Sequence, residues 1–278
     1  MSIYDLHTHS TSSDGKFSPK DVVKQGFENG VKYLALTDHD TVSGIFEASE
    51  EAKKLGITLI PGIELSTEHN GESIHILGFF KGDDYKNPEL LEILDKIKQH
   101  RIERAYKIVE KLEKYFKITL DINKVLAGGT DTITRPHIAK AIIYAGYPYD
   151  TTYIFNNIIG NDCRAYVAST KMSTEEGIEI LKRFNAFAFL AHPIYIKKTP
   201  LEEMLKFDFD GIEALYAQNT EEQTNNLLEI VKTKKLFTSC GSDCHGVLND
   251  PKHSVIGEIY INPIIPIDEL LNWVTSIK

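Results

Sequence analysis

The sequence is short of cysteine, of long apolar runs and of excess positive charge, and each shortage removes a class of protein. Its three cysteines, Cys163, Cys240 and Cys244, form neither an even framework nor a CxxC pair. They read as reduced thiols, with Cys240 and Cys244 as small core residues. No run approaches the roughly 18 apolar residues of a spanning helix, and the opening residues lack the apolar centre of a signal peptide. The expectation is a cytoplasmic protein without membrane contact. A net charge of −9 argues against a surface that coats nucleic acid, so no stable nucleic-acid partner is expected. A local basic pocket for one phosphate remains compatible with that charge. No GxSxG elbow and no P-loop is present.

What is present is an alternation of short β-rich runs with helix-period segments. "IYDLHTH", "YLALTDHD", "ITLIPGIEL", "SIHILGFF", "AFAFLAHP", "GIEALY" and "LFTSCGSDCH" read as seven strands, with "VIGEIYIN" as a closing one. Ser18-Pro19 opens a helix, Gly56 stops another, and Ser173 with Glu176 forms a capping box. Such alternation implies a parallel sheet or barrel, and seven strands favour the barrel. The rhythm breaks over residues 83–165, where "NPELLEILDKIKQHRIERAYKIVEKLEKYF" is an amphipathic helix with a solvated charged face and shorter helices follow. The chain is therefore expected to divide into a barrel domain, 1–82 with 166–278, and a helical insertion over 83–165, and the insertion is expected to act as a substrate-selecting lid.

Residues i and i+2 of a strand share a face, so His7 and His9 stand side by side, as do Asp243 and His245. His39, Glu64 and His192 lie just past strands, His75 lies within one, and Asp14 follows the first pair. Strand C-termini are where parallel α/β folds gather functional groups. Nine imidazoles and carboxylates there exceed the needs of a single ion, which points to a multinuclear centre. Mixed nitrogen and oxygen donors suit Mn²⁺, Fe²⁺ or Zn²⁺, and an oxygen-rich site suits Mg²⁺. His69, His100 and His253, in polar turns or on the charged helix, read as ordinary polar residues. Asp38 and Asp40 either orient His39 or cap the next helix.

The ordered set "DLHTHSTSSDG", "LALTDHDTVSG", "PGIELST", "IHILGFF", "RPHIA", "AHP", "GIEAL" and "GSDCHG" resembles the motifs of the PHP (polymerase and histidinol phosphatase) phosphoesterases almost end to end. The resemblance implies an α/β fold, a distorted (β/α)7 barrel with a helical insertion, and three divalent metal ions. It implies His7, His9, Glu64 and Asp243 on one ion, with Glu64 bridging to a second held by His75 and His192. Asp14, His39 and His245 hold the third. "SSDG" and "RPHIA" are similar to the branch that acts on nucleoside phosphates and short RNA. Cys244 stands where that branch carries an aromatic, "NAFAFLAHP" lacks a Gly-Gly before its strand, and Asn219 stands where His is commoner.

The expected reaction is phosphate-ester hydrolysis, with two ions lowering the pKa of a shared water and cationic groups neutralising the phosphate oxygens. The small phosphorylated partner is a nucleoside 5′-monophosphate, a 3′,5′-bisphosphate or short RNA, and the protein is expected to act as a monomer. Glu64, His192 and Arg135 are expected at the reacting phosphate. Arg135 and His137 sit at a helix start suited to an anion, and Arg164, Lys171 and Asn219 are further candidate contacts. A histidinol-phosphate-type monoesterase and an inactive nucleotide-binding barrel are the alternatives.

Overall fold

The computed structural model describes residues 2–128, 132–168, 172–247, 253–259 and 272. In chain order its elements are β1 (Tyr4–Asp5), α1 (Pro19–Glu28), β2 (Tyr33–Leu36), α2 (Ile45–Leu55), β3 (Thr58–His69) and β4 (Glu72–Phe80). Then come α3 (Pro88–Phe116), α4 (Ile122–Ala127), α5 (Arg135–Tyr144), α6 (Thr151–Asn157) and α7 (Thr174–Arg183). The chain continues with β5 (Ala186–Leu190), α8 (Leu201–Met204), β6 (Gly211–Tyr216), α9 (Glu221–Lys234) and β7 (Phe237–Gly241). Helix ends follow local chemistry: the Ser18 hydroxyl accepts from Asp21 N ahead of Pro19, and Ser173 and Glu176 cap α7 reciprocally.

The seven strands pair in chain order. Bonds from Leu6 N to Cys240 O and from Asp243 N to His7 O close β1 onto β7. The result is a nearly closed barrel with helices outside. It is a mixed barrel rather than the parallel one expected, because β4 runs antiparallel to both β3 and β5. The cause is local. Asn70 and Gly71 both adopt left-handed backbone, φ 52° and 71°, and make a two-residue hairpin that pairs His69 with Glu72. A parallel crossover needs a connection of about a dozen residues or more. The expected closing strand over "VIGEIYIN" extends beyond the described residues, and its described part, 255–259, makes a turn at Ile256–Gly257.

Leu6, Ala35, Ile60, Leu77, Phe79, Phe189, Leu215 and Cys240 fill the barrel interior. Helices α1 and α2 cover one flank, with Cys244 in their shared core. The first turns of α3 belong to the barrel too, since Leu90 and Leu94 pack with α7 and β4 side chains. Farther along, Ala105, Ile108 and Leu112 join α4–α6 in a separate cluster that includes Ile138, Ile142, Ile154 and Ile158. Among the described residues no helix is long and apolar enough to cross a membrane.

Candidate metal centre

Two extended segments bring four of the site residues together. Thr8 bridges Cys244 in parallel register, and His9 N donates to Cys244 O. The pleat then turns Thr8 and Cys244 away and points His7, His9, Asp243 and His245 toward one space. Asp40, His192 and Asp243 take left-handed backbone, with φ of 54°, 25° and 54°. Such non-glycine conformations cost on the order of 1–3 kcal/mol each and concentrate at functional sites. Gly241 is required for a different reason. A Cβ there would lie 2.2 Å from His7 Cβ and 2.4 Å from Glu213 Oε1.

Glu64 sits at the centre, wholly buried, and its two oxygens serve different histidines. Oε1 is 2.7 Å from His75 Nδ1 and 2.9 Å from His192 Nε2. Oε2 is 2.9 Å from His39 Nδ1, 3.2 Å from His9 Nε2 and 3.4 Å from His7 Nε2. Asp243 Oδ1 lies 3.0 Å from His9 Nε2 and 3.3 Å from His7 Nε2. Asp14 Oδ1 is 3.2 Å from His245 Nε2 and 3.9 Å from His39 Nε2. Among the described residues, donor atoms within 4.8 Å of one another fall into four groups. They are His7, His9, Glu64 and Asp243; His9, Asp14, His39 and His245; His39, Glu64 and His75; and Asp243, His245 and His253. His192 reaches the centre through Glu64 and belongs to none of these groups.

Do these donors fit metal ions? His7 Nε2, His9 Nε2, Asp14 Oδ1, His39 Nδ1, Glu64 Oε2 and Asp243 Oδ1 are buried without a hydrogen-bond partner among the described residues. An unpartnered buried polar atom costs about 1–3 kcal/mol, and six facing one space need a common partner. Tautomers agree. His7 Nδ1 is 2.9 Å from Glu213 Oε1 and His245 Nδ1 is 2.8 Å from the Asp243 carbonyl, so both Nδ1 atoms carry hydrogen and both Nε2 atoms are left as donors to a metal. The donor set suits divalent transition ions.

Without a cation, protons take the positive role. Burial opposes charge throughout the cluster, yet contacts with Asp243 and Glu64 raise His9 to about 10, and Glu213, Asp243 and Glu64 hold His7 well above its usual range. Glu64, Asp14 and Asp243 are correspondingly pulled well below the ordinary carboxylate range by neighbouring imidazoles, against burial. His75 alone moves down with burial, although Glu64 pulls it upward.

The helices between β4 and β5 supply a cationic wall. The expected fully solvated face of α3 is corrected here: Arg101 and Arg104 are both only 4 % exposed. Arg101 binds Asp40 and donates to Ser66 Oγ at 2.9 Å. Arg104 Nε donates to Val167 O, while its buried Nη2 has no partner among the described residues. Burial, then the charges of Arg101 and Arg135, lower Arg104 to about 9. Arg135, the first residue of α5, lies over the Phe155 and Tyr166 rings and donates to Asn161 Oδ1 at 2.9 Å. His137 caps its own helix: Nδ1 accepts from Thr134 N, and burial keeps the ring neutral despite Asp14 nearby.

Other expected contacts lie elsewhere. Arg164 sits over Tyr115, about 21 Å of helix rise beyond Arg101. The Asn219 amide donates to Ala214 O and holds the turn after β6. Lys171 lies outside the described residues. Asp38 neither orients His39 nor caps α2; it accepts from Ser10 and Ser13 and shapes the loop carrying Asp14. Asp40 accepts from Ser66 N and Arg101 instead.

Beside the α3 arginines, the sequence reading missed Glu213 and Tyr216 and took His253 for an ordinary polar residue. Glu213 is buried in β6, bonded to His7 Nδ1 and to His192 N at 2.8 Å. Tyr216 donates to Asp243 Oδ2 at 3.0 Å. His253 lies 3.6 Å from that same oxygen, its ring 4.2 Å from His245. A glutamate inside the apolar run "GIEALY" was the one available signal, since a buried strand carboxylate needs a partner.

The sequence model of the PHP domain matches residues 5–140. A "5′-3′ exoribonuclease" of Haemophilus influenzae is 36 % identical over 249 residues, covering 87 % of this chain and 89 % of the relative. The "3′,5′-nucleoside bisphosphate phosphatase" of Chromobacterium violaceum is 29 % identical, covering 88 % of each chain. A solved structure from Bifidobacterium adolescentis, described as a metal-dependent phosphoesterase, superposes with a TM-score of 0.78 at 29 % identity, covering 90 % of this chain and 91 % of that one.

Proposed function

We infer the function from one premise: the chain belongs to the PHP domain family. It is a phosphoric ester hydrolase, and we read its substrates as phosphate esters of nucleotides, from nucleoside 5′-monophosphates and 3′,5′-bisphosphates to short oligoribonucleotides. The observation that carries the reading is the set of six unpartnered buried donor atoms around Glu64. We assign three divalent ions: His7, His9, Glu64 and Asp243 would hold one, His75 with Glu64 a second that His192 reaches through its contact with Glu64, and Asp14, His39 and His245 the third. When bound, such ions lower the pKa of a water between them and neutralise phosphate charge.

The chain's own groups do the rest. Glu64 spans two histidine sets with separate oxygens, which fixes their spacing. Glu213 and the Asp243 carbonyl hold imidazole tautomers so that Nε2 faces inward. Arg135 and Arg104, partly relieved of other partners, suit the phosphate oxygens of an anion held against the cluster. His137, with Nδ1 occupied as an acceptor, keeps an N–H at Nε2 for the same purpose.

The test is metal analysis of the purified protein beside phosphate release from nucleoside 5′-monophosphates, 3′,5′-bisphosphates, short RNA and histidinol phosphate. Release from the nucleotides, abolished by a chelator and restored by Mn²⁺, Fe²⁺ or Zn²⁺, is expected. Full activity in a demonstrably metal-free sample would sink the mechanism, and histidinol phosphate as the best substrate would sink the nucleotide reading.

A further inference from the structure

The helices between β4 and β5 carry charge of the opposite sign to the chain. Residues 104–168 hold nine Lys and Arg against six Asp and Glu, in a protein of net charge −9. Cations elsewhere are often neutralised locally: Lys53, Lys54, Lys86 and Lys96 each pair with a carboxylate three or four residues away. Among the described residues, none of the nine between 104 and 168 forms an ion pair. Partners are within reach. Glu103 and Glu110 stand four residues ahead of Lys107 and Lys114, the spacing at which Glu92 holds Lys96 at 2.8 Å in the same helix. Lys107 and Lys114 are exposed and stay unpaired all the same.

These cations form a row. Arg104, Lys107, Lys111 and Lys114 recur at alternating three- and four-residue intervals, which places them on one face of α3 over about 15 Å of rise. The segment 164–167 runs antiparallel beside that face. Arg104 Nε donates to Val167 O at 2.8 Å, Lys111 Nζ donates to Tyr166 O at 2.6 Å, and the Arg164 guanidinium lies 6.0 Å from the Tyr115 ring centroid. Arg164, itself exposed, thereby joins the outer end of the row. The inner end adjoins the metal centre, because Arg101, one turn before Arg104, binds Asp40 beside His39. There Arg104 keeps a buried Nη2 without a partner among the described residues.

We propose that this row is the track for the strand of a short oligoribonucleotide whose terminal phosphate lies at the metal centre. The proposal rests on the nucleotide reading above and narrows it to substrates with several phosphates. A stacked strand advances about 3.4 Å per nucleotide, so about 15 Å of helix matches roughly four phosphates. Lysines and arginines in such a row meet the backbone and no base edge, so the track reads length and charge rather than sequence. The negative charge of the remaining chain repels the strand elsewhere.

The test measures kcat/KM for a 5′-phosphorylated pentaribonucleotide and for adenosine 3′,5′-bisphosphate at about 50 and about 200 mM salt. Four contacted phosphates on a single strand predict a roughly fiftyfold fall for the RNA over that interval. The bisphosphate reaches only the inner end of the row and should fall far less. Lys107→Ala with Lys114→Ala removes two contacts at exposed positions, which should lower RNA turnover and flatten its salt response to a roughly sevenfold fall. Bisphosphate kinetics and metal content should be kept. Lys53→Ala with Lys54→Ala, the same charge change on α2, should leave both substrates unchanged. RNA kinetics unaffected by the row variant, lost equally with those of the bisphosphate, or altered alike by the α2 variant overturn the track. So does a wild type that hydrolyses the bisphosphate and spares the RNA, which leaves the nucleotide reading standing. A wild type inactive on both substrates sinks the nucleotide reading itself.

Discussion

Glu64 concentrates the chemistry of the site in one side chain, because each of its oxygens faces a different set of imidazoles. Glu64→Gln keeps the shape and removes one anionic donor, so two ion positions should empty together, read by metal analysis with activity in parallel. Wild-type metal content in that variant would show that Glu64 does not bridge. Glu213→Gln acts one layer out, through His7, and should lower metal affinity or activity about 10–100-fold with the fold intact. The pH dependence has a definite sign. In metal-free protein His9 stays protonated up to about 10, against an ordinary 6.5. A raised folded value gives stability that is complete below 6.5 and lost as pH rises through about 10. Metal must displace that proton, so metal affinity strengthens over the same interval. Thermal melts of metal-free and metal-loaded protein at stepped pH should therefore diverge as pH rises. Parallel curves would show that no shared proton is displaced.

At the scale of elements, what the sequence displays and what it hides differ for physical reasons. Side-chain alternation made the pairs His7/His9 and Asp243/His245 legible, since a period of two survives in any strand. Strand direction was not legible from periodicity, because β4 looks the same read either way, and only Asn70-Gly71 records the reversal. The buried arginines of α3 were hidden more thoroughly. Lys and Glu surround Arg101 on the helix, and nothing local says that one turn of a charged face meets Asp40 across the barrel mouth. That pair anchors α3, and breaking one half of a buried pair costs about 3–5 kcal/mol. Arg101→Ala should lose stability on that scale in urea or thermal unfolding. Adding Asp40→Asn should recover much of it, since the stranded charge is then gone while an acceptor for Ser66 N and tolerance of left-handed backbone remain. If the double variant is no more stable than Arg101→Ala, the ion pair is not what holds the helix.

For the molecule as a whole, the chain folds around separate apolar clusters, and the proposed division of labour follows them. The barrel carries the imidazoles and carboxylates; the insertion, packed on its own Ile138–Ile142–Ile154 cluster, carries Arg135 and His137. Net charge misleads at this scale. A chain at −9 still assembles Arg101, Arg104 and Arg135 close enough that each arginine feels another, because the fold unites residues far apart in sequence. With Arg101 engaged by Asp40, Arg104 and the metal centre suffice for the reacting phosphate, so we expect Arg135 to hold a second phosphate of the substrate. Arg135→Ala then removes a charge-assisted contact of about 1.5–3 kcal/mol, roughly ten- to hundredfold in kcat/KM. The loss should appear with a nucleoside 3′,5′-bisphosphate, while a nucleoside monophosphate is nearly spared and metal content is unchanged. An equal loss on both substrates would move Arg135 to the reacting phosphate, since an interaction made with the common group weakens every substrate alike. Unchanged kinetics on both would reduce Arg135 to its stacking on Phe155 and Tyr166 and its bond to Asn161.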